Sequence, residues 1–177
     1  MPVVSLDQQR KFPTEAAIWR LLEEVPDPEV PVLTILDLGV VRSVAVAENG
    51  AIRIGVTPTY SGCPATAAIN MAIRDRLLQA GHDTVTIDTI LAPAWTTDWI
   101  SEDGKRKLRD YGIAPPVGTA AGEGAGRGTL FGADPDVPCP HCGSAHTEKV
   151  SEFGSTACKA QYRCTDCLEP FEYFKCI

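Results

Sequence analysis

The sequence predicts an α+β protein with a small mixed sheet covered by helices, in the order α-β-β-α-β-α, followed by a small four-cysteine module. Three observations support this prediction. Residues 1–115 alternate helical and strand periodicities, residues 138–177 contain two Cys-x-x-Cys pairs, and the glycine-rich residues 116–137 separate them. We therefore predict a first domain, a linker and a C-terminal module with these boundaries.

Apolar residues that recur on one face predict helices over 14–24 and 64–81, and the order of charges predicts a last helix over 101–111. A threonine caps the first helix, and the last has acids early and bases late, which complements the helix dipole. Pro64 suits a first helical position, and Gly81 suits the position after the last turn. The buried face of the second helix is predicted to be Ala65, Ala68, Ile69, Ala72, Ile73 and Leu77.

Alternating apolar residues predict strands over 44–46, 52–56 and 84–91. Asn49-Gly50 between the first two strands predicts a hairpin with a two-residue turn, because such a turn favours positive φ. The second helix connects the second strand to the third, so we expect these two strands to be parallel, with a right-handed crossover.

Composition and charge exclude several classes of protein. The 177 residues are 44% hydrophobic and 22% charged, which excludes a chain disordered throughout. A net charge of -7 disfavours sequence-nonspecific binding to nucleic acid, which needs a surplus of lysine and arginine. We found neither an apolar run of about 20 residues nor the pattern of a signal peptide. We therefore expect a cytoplasmic protein without membrane or nucleic-acid partners.

Cysteines indicate a metal site near the end of the chain. There are seven, so complete internal pairing is impossible, and clustered cytoplasmic thiols indicate metal or redox chemistry. Two Cys-x-x-Cys pairs suit tetrahedral zinc, although four thiolates would also accept iron. The surrounding segment has too little core to fold alone, so the metal would supply folding energy. The predicted ligands of this zinc-ribbon module are Cys139, Cys142, Cys164 and Cys167.

Other residues of the module leave alternatives open. Cys158 and Cys176 are extra thiols, and either could replace one of the four ligands or be a small buried residue. His141 and His146 can ligate zinc, but we expect them outside a shell that four thiolates complete. From residue 133 onward the acids exceed the bases by three, which favours protein docking over nucleic-acid binding.

The glycine-rich segment over residues 116–137 predicts a flexible linker. It contains six glycines and few large apolar residues, so it buries too little surface to offset its ordering entropy. A long ordered loop packed on one domain is the alternative.

Cys63 is the candidate functional residue of the first domain. It precedes Pro64 at the predicted start of the second helix, where free backbone N–H groups and the helix dipole favour a thiolate. A functional thiol and a small buried residue beside the sheet are both compatible with this position.

Three segments resemble SufT-type iron–sulfur assembly factors: DPEVPVLTILDLGVV, TPTYSGCPA and TILAPAWTTDWIS. The resemblance covers about residues 14–114, and Cys63 matches the lone cysteine in a Cys-Pro turn that marks that family. With the cysteine-rich tail, nearly the whole chain is similar to the PaaD family, the small D subunits of phenylacetyl-CoA epoxidase systems in bacterial phenylacetate degradation.

The resemblance implies an accessory protein and not an enzyme. The epoxidase systems contain a di-iron catalytic subunit and a reductase with flavin and a [2Fe–2S] cluster. This chain has no Glu-x-x-His pairs for a di-iron site and no flavin or nicotinamide fingerprint. The resemblance therefore implies metal-centre assembly or delivery, most directly to the reductase. Cys63 would bind iron or an iron–sulfur cluster transiently, and Asp37 and Thr57 would shape the pocket.

Two other functions stay open. The protein could be a structural scaffold subunit of the oxygenase without metal transfer. It could also exchange disulfides through Cys63 and a module thiol such as Cys158, although Cys63 lacks a partner at Cys-x-x-Cys spacing. The edges of a small sheet could also pair in a homodimer.

Overall fold

The computed structural model describes residues 12–118 and 135–176. Residues 119–134, the greater part of the predicted linker, therefore lie outside the described residues. No helix among the described residues is long and apolar enough to cross a bilayer. The described elements are α1 (Glu15–Leu22), β1 (Val41–Val46), β2 (Ile52–Val56), α2 (Ala65–Gln79), β3 (Val85–Thr89), α3 (Glu102–Tyr111), β4 (Ile113–Ala114), β5 (Thr147–Ser151), β6 (Lys159–Cys164) and β7 (Pro170–Phe174).

The first sheet has the order β1-β2-β3. β1 and β2 are antiparallel, and β2 and β3 are parallel with α2 between them, as predicted. The hairpin turn is one residue longer than predicted: the Ala47 N–H donates to the Ala51 carbonyl across a three-residue loop. Gly50 has a φ of +82° and provides the left-handed residue that such a loop requires.

The first helix has the predicted cap, and the third helix has a cap at Ser101, the residue at which it was predicted to begin. The Thr14 side chain accepts the Ala17 N–H at the start of α1, and the Ser101 side chain accepts the Gly104 N–H at the start of α3. Gly112 ends α3 with a φ of +90°. A short 3-10 helix, Thr97–Trp99, precedes α3 and was not predicted.

The buried face of α2 is narrower than predicted. Its buried residues are Ala65, Ile69, Ile73 and Leu77, whereas Ala68 is exposed and Ala72 is half-buried. At 100° per residue, Ala68 lies about 120° from the centre of the stripe that the four buried residues form. The prediction for Ala68 was therefore wrong.

The second sheet joins the two parts of the described chain. Its order is β4-β7-β6-β5, and β4 follows directly after α3 of the first domain. β4 pairs in parallel with β7, with Ile113 opposite Glu172 and Ala114 opposite Tyr173. The end of the first domain thus contributes an edge strand to the sheet of the C-terminal module.

Two apolar clusters lie on opposite sides of this junction. The larger one contains Ile54 and Leu77 of the first domain together with Phe174 of β7. The ring centroids of Trp95 and Phe174 are 6.4 Å apart. The smaller cluster lies within the C-terminal module and includes Val137, Ala160, Tyr162, Phe171 and Tyr173.

We predict that Leu77→Ala lowers the free energy of unfolding by about 2–5 kcal/mol, because it leaves a cavity beneath α2. Leu77 is 0% exposed, whereas the neighbouring Leu78 is 60% exposed and provides a matched control. Leu78→Ala should change stability by less than about 0.5 kcal/mol. Urea denaturation of both variants measures the difference, and equal losses would contradict the assignment of the buried face.

Candidate functional site

Cys63 lies in the turn between β2 and α2, as predicted. It comes just before Pro64, the residue that precedes the helix, and its carbonyl accepts the Thr66 N–H at 3.2 Å. Its own N–H donates to the Tyr60 carbonyl at 3.1 Å, which holds the turn closed. The residue is 9% exposed.

Cys63 lines a small, partly open cleft with a cavity volume of about 20 Å³. One wall is the loop between α1 and β1, which includes Asp27, Glu29 and Leu38. The end of β2 and the first turns of α2 provide the floor. The C-terminal module closes the remaining side with Cys158 and Phe174.

Thr57, the residue after β2, also lines this cleft. It is 1% exposed, and its Oγ1 has no hydrogen-bond partner among the described residues. Its backbone N–H donates to the Val40 carbonyl at 2.8 Å. A buried hydroxyl without a partner is costly, so a ligand in the cleft that pairs with this oxygen would gain that interaction.

Asp37 does not line the cleft. Its Oδ2 accepts the Thr34 N–H at 2.9 Å and the Lys107 ammonium at 2.8 Å, and its Oδ1 accepts the Ser101 hydroxyl at 3.2 Å. Burial raises the pKa of Asp37, but the hydrogen bonds from Lys107 and Thr34 outweigh it and lower the pKa. Asp37 therefore fixes the loop to α3, and the next residue, Leu38, forms part of the cleft wall.

Three acidic or phenolic groups beside Cys63 were not predicted as site residues. Asp27 is buried, and its Oδ1 accepts the N–H groups of Glu29 and Val30 at 2.9 and 2.7 Å. Burial raises the pKa of Asp27 and of Glu29. Burial, and then the neighbouring Cys63, raise the pKa of Tyr60 to about 12. The Asp-Pro-Glu segment in the loop was the available signal for the two acids.

The four predicted module ligands form one cluster. The sulfurs of Cys139, Cys142, Cys164 and Cys167 all lie within 4.8 Å of one another. The Cys139–Cys167 and Cys142–Cys164 pairs are 3.7 and 3.6 Å apart. Tetrahedral zinc with Zn–S bonds of about 2.3 Å places its sulfurs roughly 3.8 Å apart, so the four thiols fit that ion. Zinc here would hold the two cysteine loops together.

The local backbone prepares this cluster for a metal. The Cys167 N–H donates to the Cys164 sulfur at 3.5 Å, and this hydrogen bond, together with those from the Asp166 N–H and the neighbouring thiols, lowers the pKa of the Cys164 thiol to about 7. Each Cys-x-x-Cys pair is followed by a residue with positive φ, Gly143 at +77° and Leu168 at +66°. Glycine adopts this conformation without strain, whereas leucine does not.

The remaining cysteines and histidines of the module lie outside the cluster. His146 Nδ1 is 3.1 Å from Asp166 Oδ2, and His141 is exposed beside Gly112. Cys176 donates to the Val117 carbonyl at 3.1 Å. Cys158 lines the Cys63 cleft instead, which contradicts the alternative that it replaces one of the four ligands.

Comparison with known proteins matches both parts of the chain. The iron–sulfur cluster assembly protein family matches residues 15–88, and the PaaD zinc beta ribbon domain matches residues 124–175. The D subunit of 1,2-phenylacetyl-CoA epoxidase from Escherichia coli strain K12 is 53% identical over 160 residues, which are 90% of this chain and 92% of that protein.

Two further relatives match the first part. An Fe-S protein maturation auxiliary factor of Porphyromonas gingivalis is 35% identical over 96 residues, which are 54% of this chain and 90% of that protein. A crystal structure of a domain of unknown function, DUF59, from Bacillus anthracis has a TM-score of 0.50 and 28% identity. The match covers 53% of this chain and 90% of that one.

The fold and the family matches thus define a domain of the iron–sulfur cluster assembly family joined to a zinc-ribbon module with four clustered cysteines. Identity over nearly the full length of both proteins shows that this chain belongs to the PaaD family, that of the phenylacetyl-CoA epoxidase D subunit. The relatives are named as an epoxidase subunit and as maturation auxiliary factors, which agrees with an accessory, non-catalytic protein.

We predict that Asp37→Asn lowers the free energy of unfolding by about 1–3 kcal/mol at neutral pH, because it weakens hydrogen bonds to a charged group. The folded-state pKa lies below the ordinary value of 3.8. The stabilisation is therefore complete above that value and is lost as the pH falls through the folded-state pKa. The free energies of unfolding of the wild type and the variant should therefore converge at acidic pH. Urea denaturation from neutral to acidic pH measures them, and a difference that does not change with pH would contradict the prediction. Asp75→Asn, on the exposed side of α2, is the control.

We predict stability changes of opposite sign at Gly143 and Leu168, the residues that follow the two Cys-x-x-Cys pairs. Gly143→Ala should destabilise the zinc-loaded module by about 1 kcal/mol, because alanine is strained at positive φ. An added Cβ there meets no atom within 4 Å, so backbone strain alone causes the loss. Leu168→Gly should stabilise the module by up to about 1 kcal/mol. The urea midpoint of zinc release measures both, and changes of the same sign would refute the argument.

Proposed function

We propose that this protein assembles or delivers an iron or iron–sulfur centre for a partner of a phenylacetyl-CoA epoxidase, most directly its [2Fe–2S] reductase. The observation that carries the proposal is the position of Cys63. Its thiol lines a partly open cleft beside the start of α2, next to a buried threonine hydroxyl that lacks a partner among the described residues. The assembly-factor relatives of the first part support the same function.

In the proposed reaction the iron species is the cargo. The Cys63 thiol releases its proton and binds iron as a thiolate, which is the soft ligand that iron–sulfur centres use. Thr57 Oγ1 offers a hydrogen bond to the bound species. Incoming thiols of the partner then lose their protons and replace Cys63, which regains a proton, so the transfer is a ligand exchange without a redox step.

Asp37 has a positioning role in this proposal. It holds the loop that carries Leu38 against α3 through Ser101 and Lys107. The Trp95 indole N–H donates to the Leu38 carbonyl at 2.8 Å and fixes the same segment from the other side. Asp37 thus positions Leu38, which lines the cleft, and does not itself contact the cargo.

The ribbon module is proposed to be a structural zinc site that docks the partner. Its acidic balance and exposed side chains such as Val150 and Phe153 suit contact with another protein. The proposed partners are the other epoxidase subunits. Reduced thiols require a reducing compartment, so the proposal places the protein in the cytoplasm. A homodimer would use an edge strand of the first sheet, β1 or β3.

A scaffold function is the second candidate, because the E. coli relative is named as a subunit and matches both parts of this chain. In that case Cys63 contributes only packing. The scaffold and the assembly functions differ in whether the thiol is needed for the metal content of the reductase.

We predict that Cys63→Ala lowers the [2Fe–2S] content of the co-expressed reductase by about tenfold or more, since loss of a ligand costs at least as much as loss of an outer contact. Cys176→Ala removes another buried thiol that lies outside the cleft and is the matched control. Iron and acid-labile sulfide per purified reductase are the measurement. Equal cluster content with both variants, together with stable co-purification, would favour the scaffold function.

A further inference from the structure

Cys158 belongs to the C-terminal module by sequence but to the first domain by packing. It is 5% exposed, lies in the larger apolar cluster and lines the same cleft as Cys63. By contrast, Cys139 and Cys164 of the metal cluster lie in the smaller apolar cluster, within the module. One thiol of the C-terminal module therefore lies in the cleft of the first domain and apart from the four clustered cysteines.

Strand pairing fixes this position. Cys158 directly precedes β6, and its carbonyl accepts the Lys175 N–H at 3.0 Å, which extends the pairing of β6 with β7. The adjacent Phe174 packs on Trp95 and lines the cleft beside Cys158. The Thr156 hydroxyl lies 3.1 Å from the Cys158 sulfur and restrains the side chain.

The cleft around the two thiols also contains acidic and hydroxyl groups. The cleft lining includes the carboxylates of Asp27 and Glu29 and the hydroxyl of Thr57, which has no partner among the described residues. The nearby buried cation, Lys159, is paired with Glu172 at 2.8 Å. Burial raises the pKa of the Cys158 thiol, and metal binding at its sulfur would displace the thiol proton.

We propose that Cys158 is a second thiolate ligand for the iron cargo of Cys63, so that the transfer site is completed across the two modules. This inference rests on the function proposed for Cys63. Both cysteines are free thiols. Iron binding by the pair releases two protons and needs no oxidant, whereas a disulfide between them would need one. A site with two protein thiolates leaves the other iron positions open to the thiols of the partner.

The test is Fe(II) binding to the full-length, zinc-loaded protein without oxygen. Thiolate-to-iron charge-transfer absorption gives the affinity, and X-ray absorption gives the number of sulfur neighbours of iron. The wild-type protein should bind Fe(II) with both sulfurs. Cys158→Ser keeps the size and the contact with Thr156 but supplies a hard oxygen, and it should weaken Fe(II) binding by at least about tenfold and remove one sulfur neighbour.

Controls separate this inference from the proposed function and from misfolding. Cys176→Ser changes a buried module thiol outside the cleft and should bind Fe(II) like the wild type. Zinc content and thermal midpoint confirm that each variant is folded, and Cys158→Ala repeats the test without a hydroxyl. If Cys63→Ala weakens binding but both Cys158 variants match the wild type, the second ligand is refuted while the function of Cys63 stands. Wild-type binding by Cys63→Ala refutes both.

Discussion

The parallel pairing of β4 with β7 is the constraint on which the arrangement of this molecule depends. Because β4 follows α3 after Gly112, two backbone pairs attach the end of the first domain to the ribbon sheet. This attachment orients β7 so that Phe174 meets Trp95 and the residue before β6 enters the Cys63 cleft. Without it, the cleft would lose the wall that the C-terminal module provides.

The zinc-type cluster and the cleft are therefore connected through one sheet. The four thiols lie before β5 and at the end of β6, and β6 begins directly after Cys158 at the cleft. The smaller apolar cluster contains few large side chains, so metal binding would contribute much of the stability of this sheet. A structural metal at one end of the module would thus support the proposed transfer site at the other end.

Local signals explain what the sequence could predict. The cap at Thr14, the helix start at Ser101 and the Cys-x-x-Cys spacings each depend on a few neighbouring residues, and the structure has them in place; the turn at Asn49-Gly50 is present but one residue longer than predicted. The wrong prediction that Ala68 is buried is also local, because the predicted apolar face of α2 is wider than the face that is buried. The position of Cys63 followed from the helix start.

Features set by distant pairing could not be predicted. β4 has two residues and therefore no periodicity, and its partner lies in the other module. The burial of Cys158 depends on the register of β6 with β7 and on docking against the first domain. Asp37 lies behind the cleft wall because Ser101 and Lys107 approach it from α3, which its own segment does not indicate.

Because Cys158 of the C-terminal module is buried against the first domain, its reactivity depends on how often the two parts separate. Alkylating reagents reach a side chain that is 5% exposed mainly when the surrounding contacts open. The rate of Cys158 alkylation therefore reports the free energy of opening between the modules, much as amide exchange reports local unfolding. The same opening is the route by which a bulky partner could gain access to the cleft.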